Sequence, residues 1–376
     1  MPGNATCCRD RPSMTTDVLV GIVVNPIAGM GGRVGLHGTD GPALAAARAA
    51  GAKRMAGRRA IRALGRLAEL APSLSVVAAA GSMGADLLPP GWSVEVVGTP
   101  IRSTTAADTR RAVAAMVDRG AGLIVFAGGD GTARDVVAAT GPSVPVLGIP
   151  CGVKMHSAVF ATGPEAAGTA AARFVKHPEL IQLAEVVDAD VGGMRVFAVA
   201  SVPRMTGALQ AGKAGGTPAT ADLVGLGSAV AADMQPGRLY LLGPGTTVAT
   251  VSEALGVPAS LTGVDAVIDG KLVAADAGER ELLTLLAHHP IAALVLGVVG
   301  GQGFLFGRGN QQLSPAVLRA VGADNIEILA AAAKVAALDP PVLRIDLDDA
   351  AVAQQLAGYR RVRTSRRHST VMRVVA

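Results

Sequence analysis

Short apolar runs alternate with segments of helical periodicity along the first half of the chain. Apolar runs at residues 18–24, 74–79, 123–127 and 144–150 each end in a turn rich in glycine or polar residues. Because uninterrupted apolar runs need cover on both faces, they predict buried strands of a parallel sheet. The segments 43–70 and 105–119 predict covering helices. The outward charges of the first segment are expected to form a solvated face, with a phosphate contact by one of them as the alternative; these are Lys53, Arg54, Arg58 and Arg59. We therefore expect an N-terminal α/β domain with three layers and a parallel sheet.

The second half of the chain has a different pattern. Residues 184–202 and 264–273 predict two hairpins, while several helical segments lie between the later strands. This mixture predicts a second domain that is mixed α/β or β-rich. The expected organisation is a loose arm at 1–17, the α/β domain at 18–183, the second domain at 184–358 and a partly disordered basic tail at 359–376.

Composition limits the classes of function. Half of the residues are hydrophobic but only 2% are aromatic, so the core must be built from Ala, Val, Leu and Ile. Six arginines near the carboxyl end more than account for the net charge of +5, which argues against a general nucleic-acid surface. The longest apolar run, residues 291–299, is far shorter than the ~20 residues of a membrane helix. With three cysteines and no secretory segment, the chain is expected in the cytoplasm.

The turn Gly-Gly-Asp-Gly-Thr at residues 128–132 is the centre of the chemical prediction. It follows the strand at 123–127 and precedes a helix-compatible segment at 134–139. That order places the turn at the carboxyl end of a parallel strand. In open α/β sheets this is where ligands bind, with amides of the turn and the helix N-terminus facing an anion.

The residue types in this turn point to phosphoryl transfer. The amides of Gly128, Gly129 and Gly131, together with Thr132, can hold a phosphate without obstruction by bulky side chains. Asp130 would be repelled by a bare phosphate, so it needs to hold Mg²⁺ or to take a proton from an attacking hydroxyl. The alternative is an ordinary turn in which Asp130 or Thr132 only caps the helix.

Two further loops of the first domain carry candidate ligand contacts. The loop after the first strand predicts a phosphate or nucleotide contact through Asn25 and glycine amides, with a plain structural turn as the alternative. These glycines are Gly29, Gly31 and Gly32. Farther along, Lys154 is a candidate phosphate cation and His156 a candidate partner for ribose or phosphate, unless neighbouring backbone satisfies the histidine. Asp135 either orients substrate or favours the helix N-terminus.

Two loops of the second domain repeat this design. One follows a strand and places exposed amides and two hydroxyls at the start of a helix; its residues are Gly245, Thr246 and Thr247. The other is dense in amides and holds one guanidinium, which favours a polar ligand; its candidates are Gln302, Arg308 and Asn310. In the alternative, Gln311 and Gln312 cap the next helix.

Two other patterns partly match anion or metal sites. Residues 207–214 nearly match a Walker A loop, but Ala214 lacks the hydroxyl that binds Mg²⁺, so no P-loop is expected and only Lys213 can contact an anion. The acidic residues Asp346, Asp348 and Asp349 are expected to form a solvated turn, with a metal site as the alternative.

These motifs resemble a known family. The turn at 128–132 resembles the signature shared by NAD kinases, diacylglycerol kinases and related kinases. With five further segments it resembles the ATP-NAD kinase-like family that includes acetoin catabolism protein X; the segments are 25–32, 38–41, 152–158, 243–247 and 301–312. Lys154, His156 and Ser157 stand where the lipid-kinase branch has a glycine-rich segment with an Asn-Asp pair. This departure resembles the acetoin branch and argues against a lipid substrate.

The resemblance implies a fold and an activity. Related kinases have two domains with the active cleft between them, so residues 18–183 are expected to be the nucleotide-binding kinase domain. They use ATP and Mg²⁺ to phosphorylate the 2′-hydroxyl of the adenosine ribose of NAD, and give NADP. Asp130 would then accept or orient that hydroxyl. By the same resemblance Asp135, His156, Ser157 and residues 245–247 are expected to contact substrate, and the protein to be a homodimer or homotetramer that binds small nucleotides, not nucleic acid or membrane.

Two other functions stay open at this point. One is a kinase of a different small hydroxyl substrate, because the sequence departs from NAD kinases after Pro150 and in the loops at 243 and 301. The other is a non-catalytic dinucleotide sensor linked to acetoin catabolism.

Overall fold

The computed structural model describes residues 18–36, 42–153, 155–190, 193–204 and 221–376. Within these residues the chain forms a five-stranded sheet, a nine-stranded sheet and a two-stranded ribbon. The predicted arm at 1–17, the turn at 38–41, Lys154, and the segment 207–214 with Lys213 lie outside the described residues. In the described part of the chain, no helix has the length and apolar character needed to cross a membrane.

The first sheet is parallel throughout, as predicted. Its order is β3-β2-β1-β4-β5, and the strands are β1 (Val20–Val24), β2 (Ser75–Ala79), β3 (Ser93–Val97), β4 (Leu123–Gly128) and β5 (Val146–Pro150). Every residue of β1, β4 and β5 is buried, because helices cover both faces of the sheet.

The first domain has five α-helices, and two pairs of them provide that cover. The helices are α1 (Pro42–Ala49), α2 (Ala56–Leu70), α3 (Ala106–Asp118), α4 (Asp130–Thr140) and α5 (Pro164–Lys176). Helix α2 packs against α5, and α3 packs against α4. Right-handed crossovers in this strand order put the two pairs on opposite faces, which gives the three predicted layers. The segment predicted as one helix from 43 is broken near Gly51, whose φ of 79° is left-handed.

The ribbon of β6 (Ile181–Asp190) and β7 (Gly193–Pro203) belongs to the first domain. Ala184, Val186, Ala200 and Val202 are buried in the core that the first sheet builds. The prediction that this hairpin opens the second domain is therefore wrong. Its alternating pattern specifies a ribbon, but not the core against which the ribbon packs.

The second domain is mixed α/β, which confirms the predicted class. Its sheet has the order β10-β9-β8-β11-β13-β15-β16-β14-β12. The strands are β8 (Leu239–Leu242), β9 (Asp265–Ile268), β10 (Lys271–Ala274), β11 (Ala292–Gly297), β12 (Phe304–Phe306), β13 (Ile326–Leu329), β14 (Val342–Ile345), β15 (Gly358–Arg363) and β16 (Ser369–Val375). The helices are α6 (Ala221–Ala232), α7 (Thr246–Leu255), α8 (Glu279–His288), α9 (Pro315–Val321), α10 (Ala332–Ala336) and α11 (Ala350–Leu356).

The prediction of a partly disordered basic tail at 359–376 is also wrong. This segment forms β15 and β16, which pair antiparallel inside the second sheet. Val362, Met372 and Val374 point into the core of this domain, while Arg361 and Arg373 on the opposite face are exposed. The period of two that defines a strand was masked by the high arginine content, since both faces must be read separately to see it.

Candidate functional site

Helix α4 begins directly at the end of β4. Gly129 is the N-cap residue and Asp130 is the first helical residue, so the helix starts earlier than the predicted position 134. The Ala133 amide donates to the Gly129 carbonyl over 2.9 Å, whereas earlier amides of a first turn have no acceptor within the helix. The turn therefore offers a helix N-terminus that can receive an anion.

The Asp130 carboxylate is held by the segment that follows β5. The amide of His156 donates to Oδ2 over 2.8 Å, and the amide of Ser157 donates to Oδ1 over 3.0 Å. The side chain stays half-buried. Each oxygen keeps a second lone pair, so a carboxylate in this fixed orientation can still accept a hydrogen bond from a hydroxyl.

Neither Asp130 nor Thr132 caps the helix as the alternative prediction had it. Thr132 is buried, and its Oγ1 accepts a hydrogen bond of 3.0 Å from Nδ2 of Asn25. Oδ1 of Asn25 accepts from the amide of Ile27 over 3.3 Å. Asn25 thus joins the loop after β1 to α4 through its side chain, and that loop lies beside the Asp130 turn.

Most of the glycines here are required by close packing of backbone. A Cβ at Gly29, whose φ is 76°, would overlap the carbonyl oxygen of Cys151, and a Cβ at Gly128 would overlap the Thr132 side chain. A Cβ at Gly129 would lie 3.2 Å from the Cα of Gly152. The backbones of the loops after β1, β4 and β5 therefore pack directly against one another.

Gly131 differs from these glycines. It is exposed at the helix N-terminus, and a Cβ built there would meet nothing within 4 Å. Its φ is also outside the left-handed region that favours glycine. Packing and backbone strain give no reason for a glycine at this position. Because Cα–Cβ bonds of a helix tilt toward its N-terminus, a side chain at Gly131 would lean toward the first-turn amides.

Two predicted substrate contacts of the first domain are used inside the protein. Ser157 is completely buried; its Oγ accepts from the Val187 amide over 2.9 Å and lies 3.3 Å from the Val187 carbonyl oxygen. Asp135 is buried and pairs with Arg110 of α3, with Nη1 2.7 Å from Oδ1. These side chains tie elements together, so the prediction that they contact substrate is wrong for this conformation.

The same correction applies to two residues of the second domain. Arg308 is buried, donates to the carbonyl of Thr162 over 2.9 Å, and stacks on Phe304 with 4.8 Å to the ring centroid. Asn310 has no exposed surface and bridges its own loop, donating to the Leu305 carbonyl over 2.7 Å. Arg308 thus helps to build the contact between the domains, and Asn310 fixes the shape of the loop that carries it.

Gln311 and Gln312 do not cap α9, because Ser314 is its N-cap residue. Gln311 instead crosses to the first domain, where Nε2 donates to the Val153 carbonyl over 3.1 Å. A Cβ at Gly32 would lie 3.0 Å from the Cβ of Gln311, so the loop after β1 is packed on the second domain. Gly31 lies in the same loop, where its carbonyl accepts from the amide of residue 34 over 3.1 Å.

A buried group of charges, the interdomain ion cluster, consists of Arg59, Arg308 and Asp346. Nη2 of Arg59 donates to both oxygens of Asp346 over 2.6 and 2.8 Å, and Nε of Arg308 lies 3.1 Å from Oδ2. At the rim, Asp348 pairs with Arg59 and Arg62. Sequence reasoning missed this cluster, because it placed Arg59 on a solvated helix face and Asp346 in a solvated turn.

Burial and pairing set the charge states in this cluster. Burial acts to raise the pKa of Asp346, but the guanidiniums of Arg59 and Arg308 outweigh it, and the pKa is lowered below its usual value. Burial lowers the pKa of Arg308 to about 10, against the opposing effect of Asp346. All three groups are therefore charged at neutral pH.

Cys151 is a packing residue. It is buried, and burial raises the pKa of its thiol to about 12. It lines a cavity of about 60 Å³ between the domains, together with Arg59 and Gln311. The described residues contain no group of three or more His, Cys, Asp or Glu that could hold a metal, and Asp346, Asp348 and Asp349 pair with arginines.

The remaining second-domain candidates lie at carboxyl ends of its strands. Gly245, with φ of 113°, precedes α7, whose first residues are Thr246 and Thr247. Gln302 lies in the turn between β11 and β12. Within the described ranges, no hydrogen bond joins residues 245–247 to the first domain. The site as built therefore consists of the loops after β1, β4 and β5.

Comparison with known families gives two matches. The model of the ATP-NAD kinase N-terminal domain matches residues 20–179, and the model of the ATP-NAD kinase C-terminal domain matches residues 236–374. No curated protein matches the chain. The matches concern the family, and the acetoin branch within it stays a prediction.

Proposed function

Because the chain belongs to the ATP-NAD kinase family and is a phosphotransferase of that kind, we propose that it phosphorylates the 2′-hydroxyl of the adenosine ribose of NAD. ATP is the proposed donor and NADP the product. The observation that carries the proposal is the Asp130 carboxylate, fixed by two amides at the open N-terminus of α4. A base and an anion site are thus side by side.

The reaction requires few groups of the protein. The 2′-oxygen of the ribose forms a bond to the terminal phosphorus, and the bond from that phosphorus to the β,γ-bridging oxygen breaks, releasing ADP. The hydroxyl proton passes to Asp130 and then to solvent. The first-turn amides, with Gly131 open in front of them, hold the transferring phosphoryl group.

The donor set fits Mg²⁺ in the way that kinases usually bind it. The Asp130 oxygen that does not receive the hydroxyl proton would hold the ion together with phosphate oxygens, since each carboxylate oxygen keeps one lone pair. When bound, it neutralises phosphate charge and orients the terminal phosphate.

A second candidate is a kinase of another small hydroxyl compound. It is favoured by the internal use of four side chains that were expected to contact the substrate; these are Asp135, Ser157, Arg308 and Asn310. Fewer side chains therefore remain to bind the phosphate acceptor than the sequence predicted.

Incubation of the purified protein with ATP, Mg²⁺ and NAD tests the proposal, with NADP detected by an NADP-specific dehydrogenase. NADP formation that depends on both substrates is expected. Binding of NAD without turnover would replace the proposal with the dinucleotide sensor. ATP consumption with a different hydroxyl compound, but not with NAD, would establish the second candidate.

A further inference from the structure

One face of the hairpin β15–β16 carries arginines together with exposed apolar side chains. The alternate residues of both strands, such as Val362 and Met372, are buried in the core on the other side of the sheet. Because side chains alternate across a strand, the remaining residues share the outer face. We call it the basic sheet face, and it consists of three cross-strand pairs: Tyr359 with Arg373, Arg361 with Val371, and Arg363 with Ser369.

The basic sheet face is not covered by the described residues. Tyr359 is 76% exposed and Val371 is 64% exposed, and Arg361 and Arg373 are exposed as well. On this side of the sheet α6 and α7 pack against β8, β11 and β13. Leu329 of β13 belongs to that packed part and lies beside Arg363 in the ladder. The open part of the sheet therefore begins where the two helices end.

Positive charge on this face is not balanced within the described part of the chain. Two acids at its border, Asp233 and Glu327, both pair with Arg363. The side chains of Arg361 and Arg373 form no hydrogen bond or ion pair with a described residue. Residues 350–376 contain six arginines and neither an acidic residue nor a lysine. An anionic partner is therefore favoured, whereas the same face of a second copy would be repelled.

The residue types favour an anionic protein over a nucleic acid or a membrane. Tyr and Arg are enriched at protein interfaces and Lys is depleted, while a non-specific polyanion site can use Lys as well as Arg. Single-stranded nucleic acid binds to a series of aromatic side chains, and Tyr359 is the one aromatic residue of the six. The hairpin also lies between β13 and β14 within its sheet, so it cannot enter a DNA groove as a free ribbon.

The spacing on the face matches an extended peptide. Arg361 and Arg373 lie on one diagonal of the two neighbouring pairs, with Cα atoms about 7–8 Å apart, and Tyr359 and Val371 lie on the other diagonal. Alternate residues of an extended segment are roughly 6.6 Å apart and point to the same side. Two carboxylates at such positions can each meet one guanidinium, with forked hydrogen bonds.

We propose that the basic sheet face docks an extended acidic segment of a partner protein, with carboxylates two residues apart. Arg361 and Arg373 bind the two carboxylates. Tyr359 and Val371 flank the segment and exclude water from these ion pairs, which strengthens them. This function is separate from the proposed phosphoryl transfer and does not rest on it.

The test measures binding to the full chain. Fluorescence anisotropy is used with a labelled peptide that alternates Glu and Ser, with the same peptide carrying Gln in place of Glu, and with a single-stranded uridine oligonucleotide. Co-sedimentation is used with vesicles of phosphatidylserine and phosphatidylcholine. The variants are Arg361→Gln, Arg373→Gln, their combination, and Tyr359→Ala.

Arg280→Gln is the matched control. Arg280 is exposed on α8 of the same domain, and its side chain forms no hydrogen bond or ion pair with a described residue. Helix α8 packs on the opposite side of the sheet, through Leu282 and Leu286. Circular dichroism confirms that all variants are folded.

The wild type is expected to bind the acidic peptide and not the neutral one. Each single arginine variant should bind about three- to tenfold more weakly and the combination more than tenfold more weakly, because charge-assisted hydrogen bonds are lost. Tyr359→Ala should also bind more weakly, and Arg280→Gln should bind like the wild type. Added salt should weaken binding, since it screens exposed charges.

Failure to bind the acidic peptide would overturn the inference, as would equal binding of the neutral peptide. Wild-type affinity in the combined variant, or an equal loss in Arg280→Gln, would overturn it too. If the oligonucleotide or the vesicles bind more tightly than the peptide and lose binding in the combined variant, the partner is a nucleic acid or a membrane, and the protein partner is wrong.

Discussion

The Asp130 turn and the interdomain ion cluster both contain acidic residues that follow parallel strands, but their environments are opposite. Asp130 is half-buried and held by backbone amides, beside a helix N-terminus that is open to a ligand. Asp346 is buried and held by side chains of opposite charge from both domains. The Asp130 carboxylate can still accept a further hydrogen bond, whereas the charge of Asp346 is neutralised by the two arginines.

This difference shows how a candidate catalytic acid can be told from a structural one. An acid fixed by amides, with no cation of the described residues paired to it, keeps a negative charge that can act on a substrate or on Mg²⁺. An acid between two buried guanidiniums cannot leave them without exposing uncompensated charge. Sequence position at the end of a strand does not distinguish the two.

The largest effect is expected from Asp130→Asn. This change removes the charge and basicity at the proposed acceptor site, and kcat should fall roughly 10²–10⁴-fold. Asp135→Asn is the matched control, because it alters an acid of the same helix that is paired with Arg110. That variant should lose stability but keep kcat. Steady-state kinetics measure kcat of both variants. Wild-type turnover of Asp130→Asn would contradict the assignment.

Asp346→Asn should lower the free energy of unfolding by about 3–5 kcal/mol, since two buried guanidiniums lose their counter-charge. Urea denaturation measures this change. Asp324→Asn is the control, because Asp324 is fully exposed and lies 4.0 Å from its partner Arg360, and it should have almost no effect. Equal stability of the two variants would show that the cluster does not hold the domains.

The same cluster makes a pH prediction. Because the folded protein lowers the pKa of Asp346, its stabilising contribution is present above the unfolded carboxyl pKa of about 3.9 and is lost as pH falls through the lower folded value. The stability difference between wild type and Asp346→Asn should stay constant from neutral pH down to about pH 4 and shrink below it. A difference that already shrinks near pH 6 would contradict this interpretation.

Two glycines sharpen the comparison between packing and ligand binding. Gly29→Ala should cost about 1–3 kcal/mol of stability, because its Cβ overlaps the Cys151 carbonyl.

Gly131→Ala should leave stability unchanged or raised, since its Cβ meets nothing, but should raise the KM for ATP by placing a methyl group before the first-turn amides. Thermal unfolding measures the stability of both variants, and steady-state kinetics measure the KM for ATP. A wild-type KM of Gly131→Ala would refute the predicted role of Gly131 in ATP binding.

The smallest effect is expected from Ser157→Ala. The Ser157 hydroxyl bonds to Val187 and not to a ligand, so the variant should lose about 1 kcal/mol of stability and keep its KM for ATP and NAD. A clear rise in either KM would instead support the substrate contact that the sequence suggested.

Much of the first domain could be predicted from local pattern. Four of the five strands, the three layers and the strand-to-helix turn at Asp130 follow from apolar runs, glycines and helical periodicity, which act over a few residues. The second domain was predicted in class but not in detail. Strand β12 has three residues, and the arginine-rich strands β15 and β16 show their apolar face only when alternate positions are compared.

The sequence by itself determined that residues 128–132 form a phosphate-type turn at a strand end, because chain direction and glycine content are local properties. Only the tertiary structure decided which polar side chains remain for chemistry. Ser157 and Arg308 are used in contacts with distant segments of the chain. Those pairings depend on residues far apart in the chain, and no pattern within one segment can specify them.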